Sequence, residues 1–154
     1  MKTLTIDIET NTAWDTIWCC GVHNVDTGDV LVASTPEALK RLLVGCDTVV
    51  TYNGIAFDIP LLERIWNMSF EGIEVVDALV MSRLYDPSLS GGHSLRSWGD
   101  RLNWPKGDFT DYDGGLCDEM LDYCERDCRL TTKVWEELQN RLKLEDFTPE
   151  CVAL

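Results

Sequence analysis

Leu4-Thr5-Ile6-Asp7-Ile8-Glu9-Thr10 is the stretch on which the reading of this chain turns. Apolar Leu4, Ile6 and Ile8 alternate with Thr5, Asp7 and Glu9, the period of two that marks a β-strand with one apolar face. Asp7 and Glu9 then share the opposite face as neighbours. Two carboxylates held so close repel unless a cation lies between them. No Lys or Arg occurs between Lys2 and Lys40 to serve. A divalent metal fills the role, and oxygen ligands suit Mg²⁺ or Mn²⁺. The competing reading is a solvated strand face. Asp-x-Glu alone does not exclude it in a chain with 27 acidic residues.

Working outward, residues 16–24 read as a second strand, Asp26-Thr27-Gly28 as a turn, and residues 30–33 as a third strand. Short turns between them predict an antiparallel meander. A helix follows, with Ser34 as its cap, Pro36 in its first turn, Glu37 completing a capping box and Gly45 beyond its end. Residues 48–52 are β-branched and apolar, so a buried strand, followed by the loop signal Asn53-Gly54. Asp58 stands where a helix N-cap belongs. A strand at 73–76 leads to a helix over 78–85 capped by Asp77, and a short helix over 94–102 is capped by Ser94. Residues 103–115 read as an irregular loop. Apolar Leu116, Met120, Tyr123, Leu130, Val134 and Leu138 recur at helical spacing and predict one long helix to about residue 142. This order predicts an α/β fold: a mixed sheet flanked by helices, in one domain over 1–143 with a C-terminal tail over 144–154.

Composition bounds the function. The 154 residues are 45% hydrophobic and 26% charged, as in a soluble globular domain. No apolar run is long enough to span a membrane and no basic region precedes an apolar stretch, so a cytoplasmic location is expected. Seven scattered Cys, without a Cys-x-x-Cys pair and with His23 and His93 far apart, count against structural zinc and a disulfide framework. The thiols read as reduced and buried. The net charge of −14 opposes nucleic-acid binding, which rests on Lys and Arg. Carboxylates loaded with metal lose much of that effect.

Two further acidic positions complete a pattern. Asp58 follows a buried strand at a strand-to-helix junction, the kind of place where open α/β sheets bind ligands. Tyr123 and Asp127 are four apart on a helix face that also carries Met120, Leu130 and Val134, so they turn inward. A buried carboxylate needs a partner. Either a metal shared with Asp7, or Arg101, Arg126 or Arg129, provides it.

With these motifs placed, the chain resembles the metal-dependent DEDD exonucleases of the ribonuclease H-like fold. Asp7-Ile8-Glu9 matches their first motif, Asn53 with Phe57-Asp58 the second, and Tyr123-x-x-x-Asp127 the third in its tyrosine form; the histidine form would need His where Asp122 stands. Residues 77–84 and 93–102 look like the proofreading domain of bacteriophage family A DNA polymerases, but no polymerase follows. The resemblance implies a 3′–5′ exonuclease that releases nucleoside 5′-monophosphates from single-stranded or frayed DNA. It implies two Mg²⁺ or Mn²⁺ ions: Asp7, Glu9 and Asp127 on one, Asp7 bridging to a second, and Asp58 acting on the second through water. Tyr123 would orient the attacking water, since a phenol with a pKa of about 10 is a poor base. Thr10, Asn53 and Phe57 would contact the terminal nucleotides.

Two rivals remain: an exoribonuclease of the same fold, and a catalytically weak module binding a nucleic-acid end or a partner. Arg83, Arg96, Arg101 and Lys106 fall between the second and third motifs and are expected beside the cleft. Such a sparse set predicts weak, distributive action on single strands by the isolated chain. With three or four phosphate contacts, affinity should fall with salt at a log–log slope of about −2 to −3. A separately encoded polymerase or DNA-binding protein would raise the local substrate concentration.

Overall fold

The strand that the alternation predicts spans Thr3–Thr10 (β1) and lies in the middle of the sheet. The structure, a computed structural model, describes residues 1–104 and 107–142. Lys106, the end of the domain at 143 and the expected tail over 144–154 lie outside the described residues. β1 pairs antiparallel with Ile17–Asn24 (β2), and β2 pairs antiparallel with Val30–Ala33 (β3), the expected meander. On its other edge β1 runs parallel to Thr48–Thr51 (β4), and β4 runs parallel to Glu74–Asp77 (β5). The five-stranded mixed sheet has the order β3-β2-β1-β4-β5.

Helices cover both faces. Leu4, Ile6 and Ile8 pack in one core with Leu39 and Leu43 of Pro36–Leu43 (α1) and Leu61 and Leu62 of Asp58–Ile65 (α2). The other core joins Val50 and Val76 to Met81 of Ala78–Tyr85 (α3), Trp98 of Leu95–Arg101 (α4), and Leu130, Val134 and Leu138 of the long helix Asp118–Leu142 (α5). α5 therefore lies over the face that carries Thr5, Asp7 and Glu9. Thr5 is 0% exposed and Glu9 5%, so the solvated-face reading of this strand is wrong.

Gly21 makes this covering close. It stands opposite Asp7 in the β1–β2 ladder. A Cβ at Gly21 would lie 2.6 Å from Cys128 Sγ and 2.9 Å from Cys124 Sγ, so α5 crosses the sheet where there is no side chain to hold it off.

Helix starts explain two departures from expectation. Thr35, not Ser34, caps α1, accepting from the Ala38 amide at 3.2 Å. That register moves Glu37 out of the capping-box position. Asp58 is the first residue of α2 rather than its cap; Phe57 holds that position without a side-chain bond. Asp77 and Ser94 cap α3 and α4 as expected. No helix among the described residues is long and apolar enough to cross a membrane.

Candidate active site

The strand-one carboxylates and the helix residues meet across the β1–α5 interface. Thr132 on α5 donates to the Thr5 hydroxyl at 2.8 Å, and Cys124 donates to the Asp7 carbonyl at 3.4 Å. These bonds fix α5 along β1. They place Tyr123, 9% exposed, and Asp127, 3% exposed, against the face bearing Asp7 and buried Glu9. A β-bulge follows, since the register shifts between Glu9 and Thr10; bulges of this kind re-aim side chains.

Asp58 reaches the same strand from the other layer. Its Oδ2 accepts from the Ile8 amide at 3.2 Å, while the residue itself is 4% exposed. Gly54 lets the loop between β4 and α2 turn tightly: a Cβ there would fall within 2.3 to 2.6 Å of Thr51. The simple N-cap reading of Asp58 is thereby replaced by a contact to the acidic strand.

The arginines weighed as partners for Asp127 have engagements of their own. Arg129 pairs with Glu125 at 3.6 Å. Arg126 lies over the Trp104 ring at 5.1 Å. Arg101 donates to the Ser90 carbonyl at 2.7 Å, also bonds the Gly92 carbonyl, and stacks over Trp98. Arg101 therefore ties down the Gly-rich loop, and of the cations expected beside the cleft Arg96 pairs with Asp108 at 3.3 Å.

Electrostatics mark the cluster. Burial pushes the Tyr123 phenol up to about 12, and the charges of Asp127, Glu9 and Asp7 add to the rise while the bond from Tyr112 opposes it. Tyr123 therefore stays protonated and can only donate or orient. Burial pushes Asp58 up to about 7 against the Ile8 amide bond, with Asp77 adding to the rise. This folded value lies above the ordinary 3.8, so the folded state binds the proton more tightly than the unfolded chain. Without metal, the contribution of Asp58 to stability is greatest below about pH 4 and is lost as pH rises towards about 7. Asp58→Asn is expected to raise the melting temperature of the metal-free protein, with a gain that grows between about pH 5 and pH 7. Melts in chelator across that range check it, and a lowered melting temperature at neutral pH would contradict it.

A cavity of about 230 Å³ opens beside the carboxylates, lined by Glu9, Thr10, Asn11, Thr12, Trp14, Phe57 and Tyr112 among others. Thr10 and Phe57 were expected to meet substrate, and both line it. Asn53 does not: it sits in the β4–α2 loop at φ 62°, its backbone N–H donating to Asp77 Oδ1 at 2.8 Å. Trp14 and Tyr112 were not foreseen. Trp14 is 58% exposed, adopts φ 57°, which is rare for a bulky residue, and meets Phe57 edge-on at 5.4 Å. Tyr112 comes from the irregular loop and its hydroxyl donates to that of Tyr123 at 3.4 Å. The loop is latched: both Asp113 carboxylate oxygens accept from Thr12, at 2.9 and 2.8 Å, and Trp18 Nε1 donates to the Tyr112 carbonyl at 2.7 Å.

No family model and no curated protein matches the sequence. Solved structures match in three dimensions. Brucella melitensis NrnC with bound Mg²⁺ has a TM-score of 0.74 at 19% identity, over 97% of this chain and 77% of that one. Exonuclease X in complex with 5′ overhanging duplex DNA has a TM-score of 0.61 at 16% identity, over 98% and 97% of the two chains. The family B DNA polymerase of the archaeon Pyrobaculum calidifontis has a TM-score of 0.71 at 15% identity, over 90% of this chain and 24% of that one. The fold they share with this chain is the ribonuclease H-like fold, a mixed sheet flanked by helices.

Proposed function

We propose that the chain is a DEDD-type 3′–5′ exonuclease of the proofreading type, hydrolysing the terminal phosphodiester of single-stranded or frayed DNA in the cytoplasm. The observation that carries this reading is the convergence of Asp7 and Glu9 on β1 with Tyr123 and Asp127 on α5, while Asp58 touches β1 from the opposite layer. The donor set fits hard divalent cations: Glu9, Asp58 and Asp127 are buried and Asp7 half-buried, and carboxylate oxygens suit Mg²⁺ or Mn²⁺.

Asp7, Glu9 and Asp127 would hold one Mg²⁺ or Mn²⁺, and Asp7 with Asp58 a second. Bound there, two such ions supply an acidified nucleophile and cover for the charge developing on the phosphate. The chain's own groups do the rest. Tyr123, kept as a phenol, orients the attacking water through its hydroxyl. Thr10 and Phe57 hold the terminal nucleotide in the cavity beside Glu9, and Asn53, outside that cavity's lining, is the third proposed nucleotide contact. Stacking reads no base identity, so sequence preference is low.

The neighbouring folds favour this reading over a pure binding module, since NrnC carries Mg²⁺ and exonuclease X carries DNA in their structures. A second reading, a nuclease acting on short oligonucleotides, RNA included, is favoured by NrnC bound to pGG. 5′-labelled DNA and RNA strands of two to thirty nucleotides, digested with Mg²⁺ and resolved on one gel, separate the two. A ladder shortening from the 3′ end supports the exonuclease, and no product on any strand refutes it. Tyr123→Phe is expected to slow the reaction by about 10²–10⁴-fold, the range for a positioning group, and to leave measurable turnover. If the folded variant is as inert as one lacking a metal-binding carboxylate, Tyr123 has been given the wrong role.

A further inference from the structure

The acidic cluster has sulfur beside it. Cys124 follows Tyr123 on α5, and its Sγ lies with a carboxylate oxygen of Asp7 and one of Glu9 all within 4.8 Å of one another. Cys124 is 0% exposed and its thiol donates to the Asp7 carbonyl. It is not alone. Cys19, opposite Glu9 in the β1–β2 ladder, hydrogen-bonds to Cys124, and so does Cys128 one turn further along α5. The glycine at position 21 is what brings these sulfurs down onto the strand. Hydrolysis as proposed above uses none of them.

Soft donors and hard donors at one point confer a choice between ions. Mg²⁺ and Mn²⁺ prefer oxygen and have no use for a buried thiol, whereas Zn²⁺, Co²⁺ and Cd²⁺ gain strongly from thiolate. We propose that Cys124 Sγ, together with the carboxylates of Asp7 and Glu9, forms a site for a thiophilic divalent cation. Binding breaks the S–H bond of Cys124, releases the proton to solvent and forms a metal–sulfur bond, with no change of oxidation state. Zn²⁺ held through sulfur favours four tetrahedral ligands, whereas Mg²⁺ demands octahedral oxygen. The two kinds of ion therefore compete for Asp7 and Glu9 while asking different geometries of them. The inference rests on this cluster being a metal site but not on the chain cleaving anything.

Co²⁺ makes the proposal visible, because a cobalt–thiolate bond has a charge-transfer band in the near ultraviolet and a cobalt–carboxylate bond does not. The purified protein titrated with Co²⁺ is expected to develop that band, and Zn²⁺ to abolish it by displacement. Cys124→Ala should lose the band and weaken Co²⁺ binding by more than about tenfold, a loss that even an outer-shell partner can command. Mg²⁺ binding should stay within about twofold, since Mg²⁺ takes oxygen ligands. Cys19→Ala and Cys117→Ala should keep the band, which excludes the neighbouring thiol and the half-exposed one. Cys124→Ser, closer in shape, repeats the test should the alanine variant fail to fold. Absence of the band in the parent protein, or its survival in a folded Cys124 variant, overturns the proposal. A chain that cleaves no strand yet shows the Cys124-dependent band refutes the nuclease reading alone; an active Mg²⁺ nuclease without the band refutes this inference alone.

Discussion

Asp7→Ala and Asp127→Ala are each expected to lower the single-turnover rate by at least about 10⁴-fold, the upper limit of what a positioned acid–base group contributes. The reason for so large a loss is that each removes a carboxylate from the cluster, not a group that merely orients water. Asp7 lies on the central strand and Asp127 is buried on the helix that covers it. Removing either leaves the remaining carboxylates unable to hold a cation between strand and helix. The fold should survive. In the metal-free protein these acids repel, so losing one relieves the repulsion, and the melting temperature should hold or rise. Rapid-quench assays with saturating Mg²⁺, paired with melts in chelator, check both halves. Wild-type rates in either variant would dismiss the site. A large fall in the metal-free melting temperature would instead mark the carboxylate as half of a structural ion pair.

Withdrawal of metal is expected to have an effect as large. Excess chelator should reduce turnover to the uncatalysed background, and Mg²⁺ or Mn²⁺ should each restore it. The ligands at the motif positions are all oxygen, and Tyr123 at about 12 cannot serve as a base in their place. Ca²⁺ should bind and permit strand binding while supporting little cleavage, because it takes six to eight ligands at longer, looser distances. Turnover that persists in excess chelator would remove the metal from the mechanism and with it the reading of the cluster. Fluorescence anisotropy of a labelled strand, measured with each ion beside the cleavage assay, separates binding from chemistry.

How far the site could be read in advance depended on the range of the interactions that build it. The alternation of Leu4 to Glu9 announced β1, and the four-residue spacing of Tyr123 and Asp127 placed both on one helix face, because strand and helix periods are local properties. Asp58 was ambiguous for the same reason. Its sequence neighbourhood is that of a cap, and only the parallel pairing of β4 with β1 carries it to the Ile8 amide. The burial of Glu9 was out of reach, since the element that covers it stands at the far end of the sequence. Trp14 and Tyr112 escaped because loops have no period; their places come from single contacts such as Asp113 to Thr12 and Trp18 to the Tyr112 carbonyl. Cys124 read as one of several reduced, buried thiols, and nothing near it in sequence reveals that Gly21 lets it down beside Asp7.

The bond from Cys124 to the Asp7 carbonyl joins residues 117 positions apart, so the proposed centre depends on a contact of long range. β1 and α5 carry Asp7, Glu9, Tyr123 and Asp127 between them, and contacts between segments so distant in sequence form slowly. Under the proposed function, a single cut in the backbone anywhere between β1 and α5 divides the metal-binding carboxylates between two fragments, and neither fragment alone would hold the set.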